Sequence, residues 1–254
     1  MKMIRYCILC FTVMMFLSCK KTTTPGGQTG TIKITIKNTV KGAPLVLNTG
    51  SYTNPFGEQY TVSKYKYYIS NVMLVDNLST PQLNGRYFLI DQNNPASLSF
   101  SFEVPVSRYV GMIWMLGVDS ARNVSGAQTG ALDPLNDMFW TWNTGYIMAK
   151  LEGNSPQSPV VNNKMEYHIG GFSGTNAVPK WQTFLIPTPP FSVLDIRAGK
   201  TSEIFIDADL DKWWQGSYDL KIAVDPAIMT PGAVAGSIAN NYRHMFTITD
   251  IKNY

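Results

Sequence analysis

Apolar and polar residues alternate along most of this chain from Thr31 onward, and that two-residue period predicts strands. Thr31–Lys37 places Ile32, Ile34 and Ile36 on one face. Tyr65–Val75, Arg86–Asp91 and Ser97–Glu103 read as further strands. Arg108–Val118 is almost continuously apolar, the pattern of a strand covered on both faces. Trp142–Glu152, Lys164–Ile169, Lys180–Ile186, Ser202–Ile206, Ser217–Val224 and His244–Ile251 complete the set. Turn residues separate them at Asn84-Gly85, Asp133-Pro134, Pro187–Pro190 and Pro231-Gly232. Helical periodicity is scarce, with one helical turn expected within Asp209–Gln215. Many short strands with regular punctuation predict an all-β fold, an antiparallel β-sandwich, with residues 31–254 forming one domain with long loops.

The N-terminus breaks this pattern. Lys2 and Arg5 precede an apolar run, Tyr6–Leu17, too short for the ~20 residues of a membrane-spanning helix. The run ends in Phe16-Leu17-Ser18-Cys19, which reads as a lipoprotein signal: residues 1–18 would be removed and Cys19 lipidated. Residues 19–30 are polar and rich in Gly and Thr, a flexible tether. The expected location is the cell envelope, as an outer-membrane lipoprotein facing the periplasm. The lipid anchor makes the membrane a partner.

Processing changes the chemistry that is left. Of three cysteines, Cys7 and Cys10 go with the signal, and the sulfur of Cys19 would carry the lipid. The mature domain then has no disulfide and no thiolate. Loss of Lys2 and Arg5 lowers the formal charge from +4 to +2, with 19 basic side chains against 17 acidic. No basic tract suits nucleic acid. No Gly-x-Ser-x-Gly elbow, His-Glu-x-x-His helix or phosphate-cradling glycine loop is present, so the chain is not expected to be an enzyme.

The densest chemistry lies between Leu132 and Gly153, where Met138, Phe139, Trp140, Trp142 and Tyr146 crowd together. With Leu116–Asp119, Asn123, Leu132–Asn136, Lys150–Gly153, the upstream Tyr67–Val72 and the downstream Tyr167–Gly170, this stretch resembles the MbnP-like family of copper-binding proteins linked to methanobactin loci. The resemblance implies an extracytoplasmic β-sandwich that binds copper. It also implies a Trp, here Trp140 or Trp142, oxidised to kynurenine by a di-haem peroxidase-like partner. Asp119, Asn123 and Asp133 are the counterparts of the family's loop positions. Asn123 stands where the copper-binding branch carries a His, and an amide oxygen is a harder donor than copper prefers.

The candidate metal ligands are therefore His168, in the family's Tyr-His-Ile-Gly segment, His244 and the thioether of Met138. These are the two histidines of the whole chain. Met138 heads an aromatic cluster and is better suited to core packing. Trp140 and Trp142, two apart, are expected on one side of a strand. Asp119, Asn123 and Asp133 are expected to cap turns. Asp207, Asp209 and Asp211 begin like a calcium loop, but Lys212 occupies the glycine position, so a strand edge or turn is expected. The alternative to copper handling is a metal-free ligand- or protein-binding module using exposed aromatics such as Trp181, Trp213 and Trp214.

Overall fold

A computed structural model describes residues 27–76, 85–142, 145–186 and 193–254. The signal segment, Cys19, the tether up to Gly26 and the expected turn Pro187–Pro190 lie outside the described residues. In chain order the strands are β1 (Thr29–Val40), β2 (Ala43–Pro44), β3 (Ser51–Thr53), β4 (Gln59–Val75), β5 (Tyr87–Asp91), β6 (Ser99–Pro105), β7 (Ser107–Tyr109) and β8 (Gly111–Leu116). After the short helix α1 (Ser120–Asn123) come β9 (Phe139–Trp140), β10 (Gly145–Asn154), β11 (Lys164–Gly170), β12 (Lys180–Leu185), β13 (Leu194–Ile196), β14 (Thr201–Asp209) and β15 (Ala227–Ile228). Helix α2 (Ala233–Tyr242) and strand β16 (Phe246–Asn253) close the chain.

These elements give the all-β fold that the alternation predicts. One sheet runs β16-β14-β1, with β6 and β2 sharing the far side of β1. The larger sheet is built around the 17-residue β4. Pairing is antiparallel except for β1 with β14 and β11 with β15. Ile32, Ile34 and Ile36 are buried between the sheets, as their spacing requires. Tyr67 of the large sheet meets Phe246 of the small one edge to face, 5.8 Å between centroids. Trp213 and Trp214 sit in the same core and donate their indole N–H groups to Tyr65 and Tyr60 at 3.2 Å, which satisfies both polar tips.

Three expectations need correction. Arg108–Val118 is two strands rather than one. The chain changes sheets at the exposed Val110, so only Gly111–Leu116 is the covered strand. Ser217–Val224 is a loop. The Glu58 carboxylate accepts the N–H groups of Ile222 and Ala223 at 2.8 and 2.9 Å, and Asn241 binds Tyr218, so these backbone groups are withdrawn from any ladder. Helix α2 was not signalled, because Ala235, Gly236, Ala239 and Asn241 supply much of its buried face and make no apolar stripe. The expected helical turn does form, at Leu210–Trp213.

β4 positions everything that follows. Its first half pairs with β10 and its second half with β8, while β5 lies along the other side of its middle. The change of partner falls between Tyr67 and Ile69, and a bulge at Asn71, with φ of 53°, interrupts the pairing with β8 shortly after it. β8 and β10 therefore part beside Tyr67–Ile69, and the chain between them, Gly117–Trp142, folds back over the outer face of the large sheet as a flap. Residues Gly145–Leu151 of β10 are consequently buried on both sides.

Candidate functional site

The flap is pinned to the sheet by the residues singled out in the sequence. Asn123 is buried, and both ends of its amide are hydrogen-bonded to backbone. Its Nδ2 donates to the carbonyls of Val118 and Asp119, both at 2.9 Å. Its Oδ1 accepts the Tyr146 N–H, also at 2.9 Å. Asp119 caps α1 through the Arg122 N–H at 3.0 Å and accepts further hydrogen bonds from Asn71 and Tyr87. Burial opposes ionisation of Asp119, but these donors outweigh it and hold the carboxyl below its usual range. Burial and then Asp119 push the Tyr87 hydroxyl up to about 12. Asp133 caps the next turn through the Leu135 N–H at 2.9 Å. Tyr68 and Tyr146 donate their hydroxyls to the flap carbonyls of Ala131 and Leu132 at 3.1 and 2.7 Å.

Beside this pin lies a charged network. Lys150 on β10 stands directly across from Lys66 on β4 and His168 on β11, and Glu152 stands across from Lys64 and Glu166. The two-residue period puts all of these on the flap side. Asp137, in the left-handed region with φ of 62°, brings its carboxylate from the flap to Lys64 at 2.7 Å and Lys150 at 3.0 Å. Lys150 also donates to the Asp137 carbonyl, and Lys66 donates to the Asn136 carbonyl at 3.1 Å. Glu152 meets Lys64 at 3.3 Å and His168 Nε2 at 2.8 Å. The His168 contact leads in holding Glu152 below its usual range, and both lysines add to it against burial. Asp137 is likewise lowered, the two ammoniums outweighing burial. Lys150 is lowered because burial outweighs its two carboxylates.

The aromatic cluster sits at the end of this row. β9 stops at Trp140, so Trp142 lies in a hairpin turn and not on the same strand face, which corrects the expectation of one shared side. Trp140 is 5% exposed and Trp142 63% exposed, with rings 5.5 Å apart. Trp140 rests on the backbone of Gly170, where a Cβ would come within 2.5 Å of its ring. Gly170 shares a strand face with His168, two residues earlier. Met138 is fully buried. His244 is exposed and lies between α2 and β16, on no strand.

A copper ion asks for converging imidazole or sulfur donors. Here the Asn123 amide faces backbone, the His168 Nε2 is held by Glu152, and two ammonium groups stand beside that carboxylate. No group of three or more His, Cys, Asp or Glu side chains among the described residues is arranged to hold a metal. The donor set does not fit copper. The exposed-aromatic alternative is reduced as well, since Trp213 and Trp214 are core residues and Trp181 alone of the three is exposed. Asp207 and Asp209 belong to β14, an interior strand and not an edge. Asp209 caps the following turn through the Asp211 N–H at 3.1 Å. What sequence reasoning missed is the charged network: Lys150 and Glu152 were visible as part of a motif, but Lys64 joins them only through strand register and Asp137 only through the fold of the flap.

A family model described as MbnP matches residues 29–230. Among solved structures, MbnP from Methylosinus trichosporium aligns with a TM-score of 0.51 at 12% sequence identity, covering 89% of this chain and 99% of that one. At that identity the likeness speaks for the fold. No curated protein matches the chain.

Proposed function

This chain belongs to the MbnP family, and on that premise we propose that it is an envelope lipoprotein that uses the family's flap-and-sheet scaffold as a metal-independent binding module. The observation that carries this reading is the Asn123 amide, whose three hydrogen bonds all go to backbone at 2.9 Å. An amide so engaged is a structural pin, with both its N–H donors and its oxygen bonded to backbone. The lipobox ending in Cys19 supports attachment to the envelope.

One observation favours copper handling as a second reading. His168 Nε2 on Glu152 is the carboxylate–imidazole arrangement that orients metal-binding histidines, and it leaves Nδ1 for a metal. In that reading the exposed Trp142 is the residue a modifying di-haem enzyme would reach.

Copper titration of the purified mature domain against a competing chelator decides between them. The first reading expects no stoichiometric Cu(I) or Cu(II) complex tighter than about micromolar, ~8 kcal/mol of binding. A tighter complex that disappears in His168→Ala overturns it and establishes the second.

A further inference from the structure

β5 leaves one side of its backbone unpaired, and a groove runs beside that side. The Asn71 N–H bonds the Arg86 carbonyl and the Gln92 N–H bonds the Tyr65 carbonyl, so the even-numbered residues of this segment face β4. The odd-numbered residues turn outward: the Asp91 N–H and carbonyl both meet the Ser97 hydroxyl, at 2.8 and 3.0 Å. The N–H and C=O of Tyr87 and Leu89 share this outward direction. No described residue takes them, and β5 pairs only with β4. The groove alongside has a volume of about 270 Å³ and is walled by Ser99 and Phe100 on one side and by Ala131 and Asn136 of the flap on the other. A second hollow of about 190 Å³ shares Tyr87 and Ala131 with it and is lined by Arg122 and Gln128. Arg122 is exposed and has no ion-pair partner among the described residues.

We propose that this groove binds an extended peptide, which adds antiparallel to β5 and delivers a carboxylate to Arg122. An unpaired strand edge presents donor and acceptor at alternate residues, and another strand is the partner that satisfies both. Direction follows from position. The Tyr87 end of β5 is its N-terminal end, so the C-terminus of an antiparallel strand arrives there, where Arg122 waits. The Phe100 ring and the Ser99 hydroxyl form the wall that meets the peptide's side chains. The flap pinned by Asn123 supplies the other wall, so the proposal gives the binding module its ligand class, and it rests on that reading only for the word module: peptide binding and copper binding are read separately.

The test is hydrogen exchange, followed by NMR on the mature domain, with the peptide acetyl-Thr-Val-Thr-Val bearing a free carboxylate. Protection of the Tyr87 and Leu89 amides is expected. The same peptide N-methylated at alternate residues should give none. The C-terminal amide should bind about threefold to fivefold more weakly, and that difference should vanish in Arg122→Gln. Leu89→Pro removes an outward N–H without touching the ladder to β4, and it should abolish binding in a protein that still folds. If this variant fails to fold, the N-methylated peptide decides. Absence of protection at Tyr87 and Leu89 with millimolar peptide, or equal protection by the N-methylated form, overturns the proposal. Equal binding of acid and amide overturns its direction.

Discussion

Replacing Asn123 by Asp is the sharpest probe of the flap, because it changes no shape and reverses the character of one atom. Oδ1 keeps its bond from the Tyr146 N–H. The second carboxylate oxygen takes the place of Nδ2, 2.9 Å from each of two carbonyl oxygens, at a residue that is 6% exposed. Two hydrogen bonds of about 1 kcal/mol each are lost, and a buried negative charge meets two negative dipole ends. The variant should be about 2–4 kcal/mol less stable at pH 7. The pH dependence has a definite sign. The new carboxyl has a folded-state pKa raised above the unfolded value of about 3.9, because its proton can be donated to one of the carbonyls. Its penalty is thus smallest below about pH 4 and grows by about 1.4 kcal/mol per unit above that, until the folded pKa is passed. Urea unfolding of wild type and variant at pH 7 and pH 4 measures the difference, and the wild type's own acid sensitivity cancels. A variant within about 0.5 kcal/mol of wild type at pH 7, or one whose deficit is the same at both pH values, would refute the pin. That result would mean an amide free to face a ligand.

Acidification should release the flap. Asp137 and Glu152 are held below their usual range, so their contribution is complete above about pH 5 and is lost as pH falls through the lowered values. Exchange of the Ile147 amide, which bonds the flap carbonyl of Met138, should accelerate over that interval, and an unchanged rate would count against the latch. Asp137→Asn should cost about 1–3 kcal/mol, below the full value for a broken buried pair because this side chain is 56% exposed. Gly170→Ala should cost about 2–4 kcal/mol and alter indole fluorescence, since the added methyl meets the Trp140 ring at 2.5 Å and the Tyr146 carbonyl at 2.9 Å. A stable variant with unchanged emission would show that Trp140 does not lie on that strand. Trp142→Ala should change stability by less than about 0.5 kcal/mol, whereas in the wild type Trp142 should be the first indole quenched by iodide.

How far the sequence could be read depended on how local the deciding interaction was. The alternation in β1 is a property of neighbouring residues, and it placed Ile32, Ile34 and Ile36 correctly. Ser217–Val224 alternates as well, yet its N–H groups are claimed by Glu58, more than 150 residues away in sequence. Nothing in the segment itself announces that. The candidate site shows the same division. Its aromatic density and the Lys150–Gly153 motif were legible, but Glu152 meets Lys64 and His168 only because β4, β10 and β11 adopt one register, and a shift of one residue would turn them to the opposite face. Asn123 is the instructive residue. Its identity raised the question of copper by departing from imidazole, and identity alone left two answers, a harder ligand or no ligand. The direction of the amide separates them. One end holds the start of the flap and the other holds the start of β10, so the side chain does mechanical work whatever the flap binds. A scaffold that needs this pin keeps its shape when the metal donors are gone, and the same folded flap then remains as a wall for the groove beside β5.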